Sequence, residues 1–196
     1  MDKVQRVFIY AIRACFVVFA FFCLVWILVD PNYNKWGGVA SGIGLPFLPL
    51  VIEKLFKIKM PFRIQLLYYI FLFVALDLGI CLDWYKTVPL YDKIVHLGSG
   101  TLSAIVGYYA LVYFKALKTP KFFRGLVIVS ICVLIAVAWE FFEFFCDKCL
   151  GQKMQQLVST GVDDTMFDLL SAFIGAIIGA ILFTFPAFIK GLEKGK

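Results

Sequence analysis

Six stretches of the chain stay apolar long enough to cross a bilayer, whose hydrocarbon core of about 30 Å asks for roughly 20 helical residues. They run from Val7 to Val29, Trp36 to Ile52, Phe62 to Trp84, Val88 to Phe114, Phe122 to Cys146 and Val162 to Ile189. The pattern predicts an all-α polytopic membrane protein, residues 1–196 forming a single six-span domain. The first stretch exceeds the roughly 7 to 15 residues of a secretory signal core, and no small-x-small site precedes Asp30-Pro31, so it is expected to remain as a span. The second carries Gly37, Gly38, Gly42, Gly44, Pro46 and Pro49. Such residues kink or break a helix, so the segment either crosses as the second of six spans or is partly re-entrant.

Composition agrees with this reading. Hydrophobic residues make up 62% of the chain and charged ones 16%, with 22 Phe and a mean hydropathy of +0.91, too little polar surface to coat a soluble globule. Soluble enzyme folds, nucleic-acid modules and disordered scaffolds are therefore excluded, although a net charge of +6 would otherwise suggest a nucleic-acid partner. One His rules out a multi-histidine metal centre within one chain.

Charge sorts by side. The amino end with the first turns of span one, the second and fourth loops and the tail hold fourteen of the Lys and Arg, and the opposite side holds Lys35, Lys86, Lys93, Lys148 and Lys153. The positive-inside rule then places both termini in the cytoplasm. Only Asp2, Glu53 and Glu193 share that side, so ten acids and His96 lie towards the other. His96 falls about 10 Å inward along span four, and Asp77, Glu140 and Asp168 reach a similar depth in their own spans. Ionisable groups inside hydrocarbon cost several kcal/mol and should face the bundle interior.

Helical periodicity makes the case for a site. Asp92, His96, Ser99, Gly100, Ser103 and Gly107 occupy roughly 100° of arc on span four. Asp164, Asp168, Ser171, Ala172, Gly175 and Gly179 repeat the same spacing on span six. The two helices run in the same direction, so the polar groups can sit side by side while the small residues let the backbones approach. Span five adds Glu140, Glu143 and Asp147 on one face.

These motifs resemble those of the YjdF-type bacterial inner-membrane proteins: Tyr91-Asp92-Lys93-Ile94-Val95-His96 with Gly100, then Trp139-Glu140-Phe141-Phe142-Glu143, then Asp164-Thr165-Met166-Phe167-Asp168-Leu169 with Gly175-Ala176. The loop with Gly151, Met154 and Gln155 also fits. More loosely, the Asp-Lys-x-x-His opening is similar to that of VanZ-like proteins. The resemblance covers about residues 85 to 180 and implies a six-helix protein of a bacterial inner membrane without supplying a reaction. Ser171-Ala172 stands where YjdF-type members often carry another acid or amide.

Clustered carboxylates repel one another and must be protonated, paired or hydrated. His96, Glu140, Asp164 and Asp168 are the expected ligands of a divalent cation, with Asp92 and Asp77 as outer or alternate ligands. Arg13 is expected to snorkel to the cytoplasmic side and Lys93 to snorkel outward, leaving the acids without an internal cation. One imidazole among carboxylates suits Mg, Mn or Ca, with Zn as a further option. The chemistry that follows is hydrolysis or group transfer on a lipid-like envelope precursor entering from the outer leaflet, with Glu143 and Asp92 as catalytic carboxylates. Asp147, Ser99, Ser103 and Trp139 are expected to border the site. A hydrated acidic vestibule, with carboxyls hydrogen-bonded to Ser99, Ser103 and Thr165, is the plainer alternative. Ion- or proton-coupled transport is a competing class, and a non-catalytic assembly partner using the Gly175-x-x-x-Gly179 face is a third. Cys15, Cys23 and Cys132 read as lipid-facing or core thiols, and Cys146-x-x-Cys149 reads as unbridged. Trp36, Trp84 and Trp139 suit an interfacial belt.

Overall fold

Every element of the computed structural model is helical among the residues it describes, which are 1–29, 35–155, 162–185 and 188–189. In chain order these are α1 (Lys3–Val29), α2 (Trp36–Gly44), a 3₁₀ turn (Leu45–Phe47), α3 (Leu48–Phe56), α4 (Phe62–Leu72), a wide-turn π segment (Phe73–Cys81), α5 (Trp84–Thr87), α6 (Tyr91–Tyr113), a 3₁₀ turn (Ala116–Lys118), α7 (Lys121–Leu150) and α8 (Asp163–Thr184). Six continuous helical stretches are long and apolar enough to cross a membrane: α1, Trp36–Phe56, Phe62–Cys81, α6, α7 and α8. Asp30, Glu193, Lys190, Lys194 and Lys196, which entered the charge count, lie outside the described residues.

The second stretch favours the first of its two alternatives. It is one helical run of 21 residues, about 30 Å at 1.5 Å per residue, and so has the length of a full crossing. Its break is a single 3₁₀ turn at Leu45–Phe47. Pro49 has no N–H to give the Leu45 carbonyl, and the Tyr68 hydroxyl of α4 donates to that carbonyl instead at 2.7 Å, while the Tyr69 hydroxyl donates to the Pro46 carbonyl at 2.9 Å. With the Leu48 N–H also reaching the Leu45 carbonyl, the carbonyls at the break gain donors from a neighbouring helix, the condition under which such a break survives in lipid. The glycines serve packing. A Cβ at Gly38 would overlap Ile80, and one at Gly42 would crowd Ala20.

Arg13 does not snorkel. It is buried, donates from Nε to the Tyr69 hydroxyl at 2.6 Å and from a terminal nitrogen to Gln65 Oε1 at 3.2 Å, and so ties α1 to α4. Elsewhere α6, α7 and α8 pack against one another, around a core that includes Ala104, Ile105, Ile128, Cys132, Ala176 and Ala180. The α6–α8 seam is the tightest. A Cβ at Gly100 would collide with the Ala172 carbonyl, one at Gly175 with the Leu97 carbonyl, and one at Gly179 with Ala104 and Thr101. Thr101 Oγ1 also donates across the seam to the Gly175 carbonyl at 3.2 Å. Gly107 departs from the expected stripe: its missing side chain makes room for Ile128 of α7.

Candidate metal centre

The seam sets the site. With Lys93 on Asp164 and Asp168 near the start of both helices and Thr101 and Ala104 against Gly179 further along, α6 and α8 run parallel, and their first turns bring the acids of one beside those of the other. Asp163 and Asp164 open α8, where carboxylates complement the positive end of the helix dipole. Asp92 stands in the first turn of α6, with His96 one turn along.

Lys93 overturns the expectation that it points away. Its ammonium donates to Asp164 Oδ1 at 2.7 Å, Asp168 Oδ1 at 2.7 Å and Asp92 Oδ2 at 3.1 Å. It is the resident cation of the cluster, one positive charge among three carboxylates. His96 Nε2 lies 3.5 Å from Asp92 Oδ1 and 3.8 Å from Asp168 Oδ1, beyond hydrogen-bond length and facing both acids. Donor atoms of Asp92, His96 and Asp168 fall within 4.8 Å of one another. A hard cation takes oxygen ligands at 2.3–2.6 Å, so two donors on opposite sides of one ion stand about this far apart. His96 and Asp168 are buried, and Asp92 is half-buried.

Other expected residues divide into those beside the cluster and those apart from it. On α7, Glu140 and Glu143 are buried. Glu143 Oε1 accepts the Trp139 indole N–H at 2.7 Å. Neither carboxylate oxygen of Glu140 has a hydrogen-bond partner among the described residues, and the same holds for Asp164 Oδ2. Such groups are expensive to bury and are satisfied by a ligand, proton or water when the site functions. Ser99 donates to the His96 carbonyl of its own helix at 2.8 Å, which leaves the imidazole to the acids. Ser103 is half-buried further along α6.

Asp77 and Asp147 are not brought to the cluster. Asp77 sits in the π segment and lines a separate cavity with Cys23, Lys35, Gly38 and Cys81. Asp147 accepts the backbone N–H groups of Met154 at 2.7 Å and Gln155 at 3.1 Å, so it shapes the loop after α7, whose C-terminal Gly151 adopts φ 62°.

Three neighbours were given no part in the site by the sequence reading. Lys93 shares the α8-facing stripe with Leu97, Thr101 and Ala104, a helical spacing visible in the chain. Gln155 is buried and its amide nitrogen lies 3.4 Å from both the Glu140 carbonyl and Thr165 Oγ1, a placement that depends on how the loop folds back. Tyr85, on the short α5, has its ring against Gly79, where any Cβ would collide, and against Tyr91 with ring centroids 5.4 Å apart. Burial, then the charges of Asp92, Glu143, Tyr91 and Asp168, push its phenol well above the usual value, so it stays a hydrogen-bond donor facing acids.

The fold and this cluster define a class: a helical membrane protein with a buried Lys–carboxylate–His group at one end of its two most closely packed helices. Within that class the chain belongs to the family described as "Predicted membrane protein (DUF2238)", which it matches over residues 12–187. This is the family of the YjdF-type proteins. An uncharacterised protein of Thermotoga maritima is 31% identical over 134 residues, 66% of this chain and 66% of that protein, so slightly under two thirds of the relative's length is spanned. No solved structure matches the chain.

Proposed function

We propose that this protein is a divalent-cation-dependent hydrolase or transferase of a bacterial inner membrane, a single six-span unit acting on a lipid-like envelope precursor. The observation that carries the reading is the convergence of Asp92, His96 and Asp168 within 4.8 Å, in surroundings that keep more carboxylates than the one ammonium of Lys93 can balance. Asp92, His96 and Asp168 would hold the ion, with Asp164 able to join them by releasing Lys93. A bound ion polarises a phosphoryl or carbonyl oxygen and activates water. Glu143 would take the proton in that reaction, and Lys93 and Tyr85 would offer donors to an anionic headgroup. The basic loops lie at the opposite end of the spans, which by the positive-inside rule puts the cluster at the outer leaflet and both termini in the cytoplasm.

Transport is the second reading, favoured by Glu140, a buried carboxylate without a described partner. Against it, the α6–α8 seam below the cluster is closed by backbone contact at Gly100, Gly175 and Gly179, which leaves no path between these two helices. The same contacts occupy the Gly175–Gly179 face that an assembly partner would need. The test is metal content and activity together: purified protein should bind Mn²⁺ or Mg²⁺ and release phosphate from polyprenyl or glycerolipid phosphates. Proton or cation flux in liposomes that is abolished by D164N, without hydrolysis, would replace this reading with transport.

A further inference from the structure

A second chemistry lies at the other side of the bundle, where α1, α2 and the π segment meet. Cys23 of α1 is buried among Ile27, Val39, Leu24 and Cys81, and its Sγ lies 3.8 Å from the Sγ of Cys81, the last residue of the π segment. The two residues are 58 positions apart in sequence and are brought together by packing alone. Gly38, pressed on Ile80, and Gly42, pressed on Ala20, draw α2 onto both partners. Lys35 fixes the end of the π segment by donating to the Ile80 carbonyl at 3.1 Å and to Asp83 Oδ1 at 2.5 Å. Both sulfurs and Lys35 line the cavity that also holds Asp77. Thiol–disulfide exchange between such a pair and an oxidant proceeds through a thiolate.

We propose that Cys23 and Cys81 are a redox pair that closes into a disulfide. The oxidant is an organic disulfide, from a small molecule or an oxidised redox protein. One thiol, as thiolate, attacks a sulfur of the oxidant, forming a mixed disulfide and expelling one thiolate. The second thiol then attacks the protein sulfur of that mixed disulfide and expels the other. Two protein thiols are oxidised, one disulfide is reduced to two thiols, and the two protons go to the leaving thiolates. The sulfurs must approach from 3.8 Å to the bonded distance of about 2.05 Å. Closure staples α1 to the third span across the cavity.

The test uses the purified full-length protein in detergent, oxidised with glutathione disulfide and then reduced with dithiothreitol. Intact mass and maleimide–polyethylene glycol labelling count the thiols, and peptide mapping locates the bond. The expected result is loss of two of the six labelled cysteines, a Cys23–Cys81 linked peptide, a thermal unfolding midpoint that rises on oxidation, and reversal of all three on reduction. C81S should abolish the change, and C146S should leave it intact. Wild-type mapping serves even if C81S folds poorly. A stable glutathione adduct on either residue, six labelled thiols after oxidation, or a bond joining other cysteines would overturn the proposal.

Discussion

Lys93 changes the electrostatics of the site more than any other residue. A buried carboxylate cluster without a cation repels itself, and the ammonium at 2.7 Å from both Asp164 and Asp168 relieves part of that repulsion. Breaking a buried pair by removing one partner costs about 3 kcal/mol. K93Q should therefore lower thermal stability in chelator, and added Mn²⁺ or Mg²⁺ should restore it, because the ion takes over the neutralising role. A K93Q protein as stable as wild type in chelator would mean that the acids are already neutral. D168N has the opposite character. It leaves Lys93 with Asp164 and Asp92 and relieves part of the repulsion while removing a metal donor, so stability in chelator should change less than in K93Q and added metal should not raise it, read by the unfolding midpoint with and without the ion. His96, Asp92 and Asp168 were legible in the chain because period and burial both pointed to them. Lys93 was not, because a lysine near a helix end normally snorkels, and only the register of α8 shows what it faces.

At the scale of elements, the close seam between α6 and α8 holds the acids in place. The matched spacing of Asp92, His96 and Gly100 with Asp164, Asp168 and Ala172 was readable from sequence, and the structure pairs Gly100 with Ala172 as that spacing implies. The rotation of α6 that turns Gly107 to α7 was not, since a stripe of small residues can face either of two neighbours. Alanine at Gly175 would drive a methyl into the Leu97 carbonyl, and overpacking of this kind costs about 1–3 kcal/mol. G175A should lower the unfolding midpoint and weaken metal binding together, whereas G125A, in open space, should change neither. A separate joint ties α2 to the turn after the π segment. The Lys35 hydrogen bond, joined by Lys86, holds the Asp83 carboxyl below its usual range. A carboxyl depressed in the folded state stabilises above its unfolded value and loses that contribution as pH falls through the folded one. Hydrogen exchange at the start of α2 should therefore quicken below about pH 4 in wild type, and D83N should show fast exchange there at neutral pH.

For the whole molecule, hydropathy alone yielded six spans, because a bilayer rewards length and apolarity regardless of detail. It left open whether the second stretch crosses fully, because that continuity depends on Tyr68 and Tyr69 of another helix donating to carbonyls at the break. It also grouped Asp77 with the cluster, since depth along a span says nothing of position around the bundle. What remains is a membrane protein whose acidic end gathers donor atoms of Asp92, His96 and Asp168 within 4.8 Å, the group proposed to hold one cation, above a seam where α6 and α8 meet in backbone contact. The measurement that tests this most directly is isothermal titration of Mn²⁺ into purified, chelator-stripped protein, with H96A beside wild type and circular dichroism to verify folding. One ion per chain for wild type, with affinity weakened at least about tenfold, or about 1.4 kcal/mol, in H96A, is the expected result. No saturable binding to folded wild type, or equal binding by H96A, would contradict the metal centre.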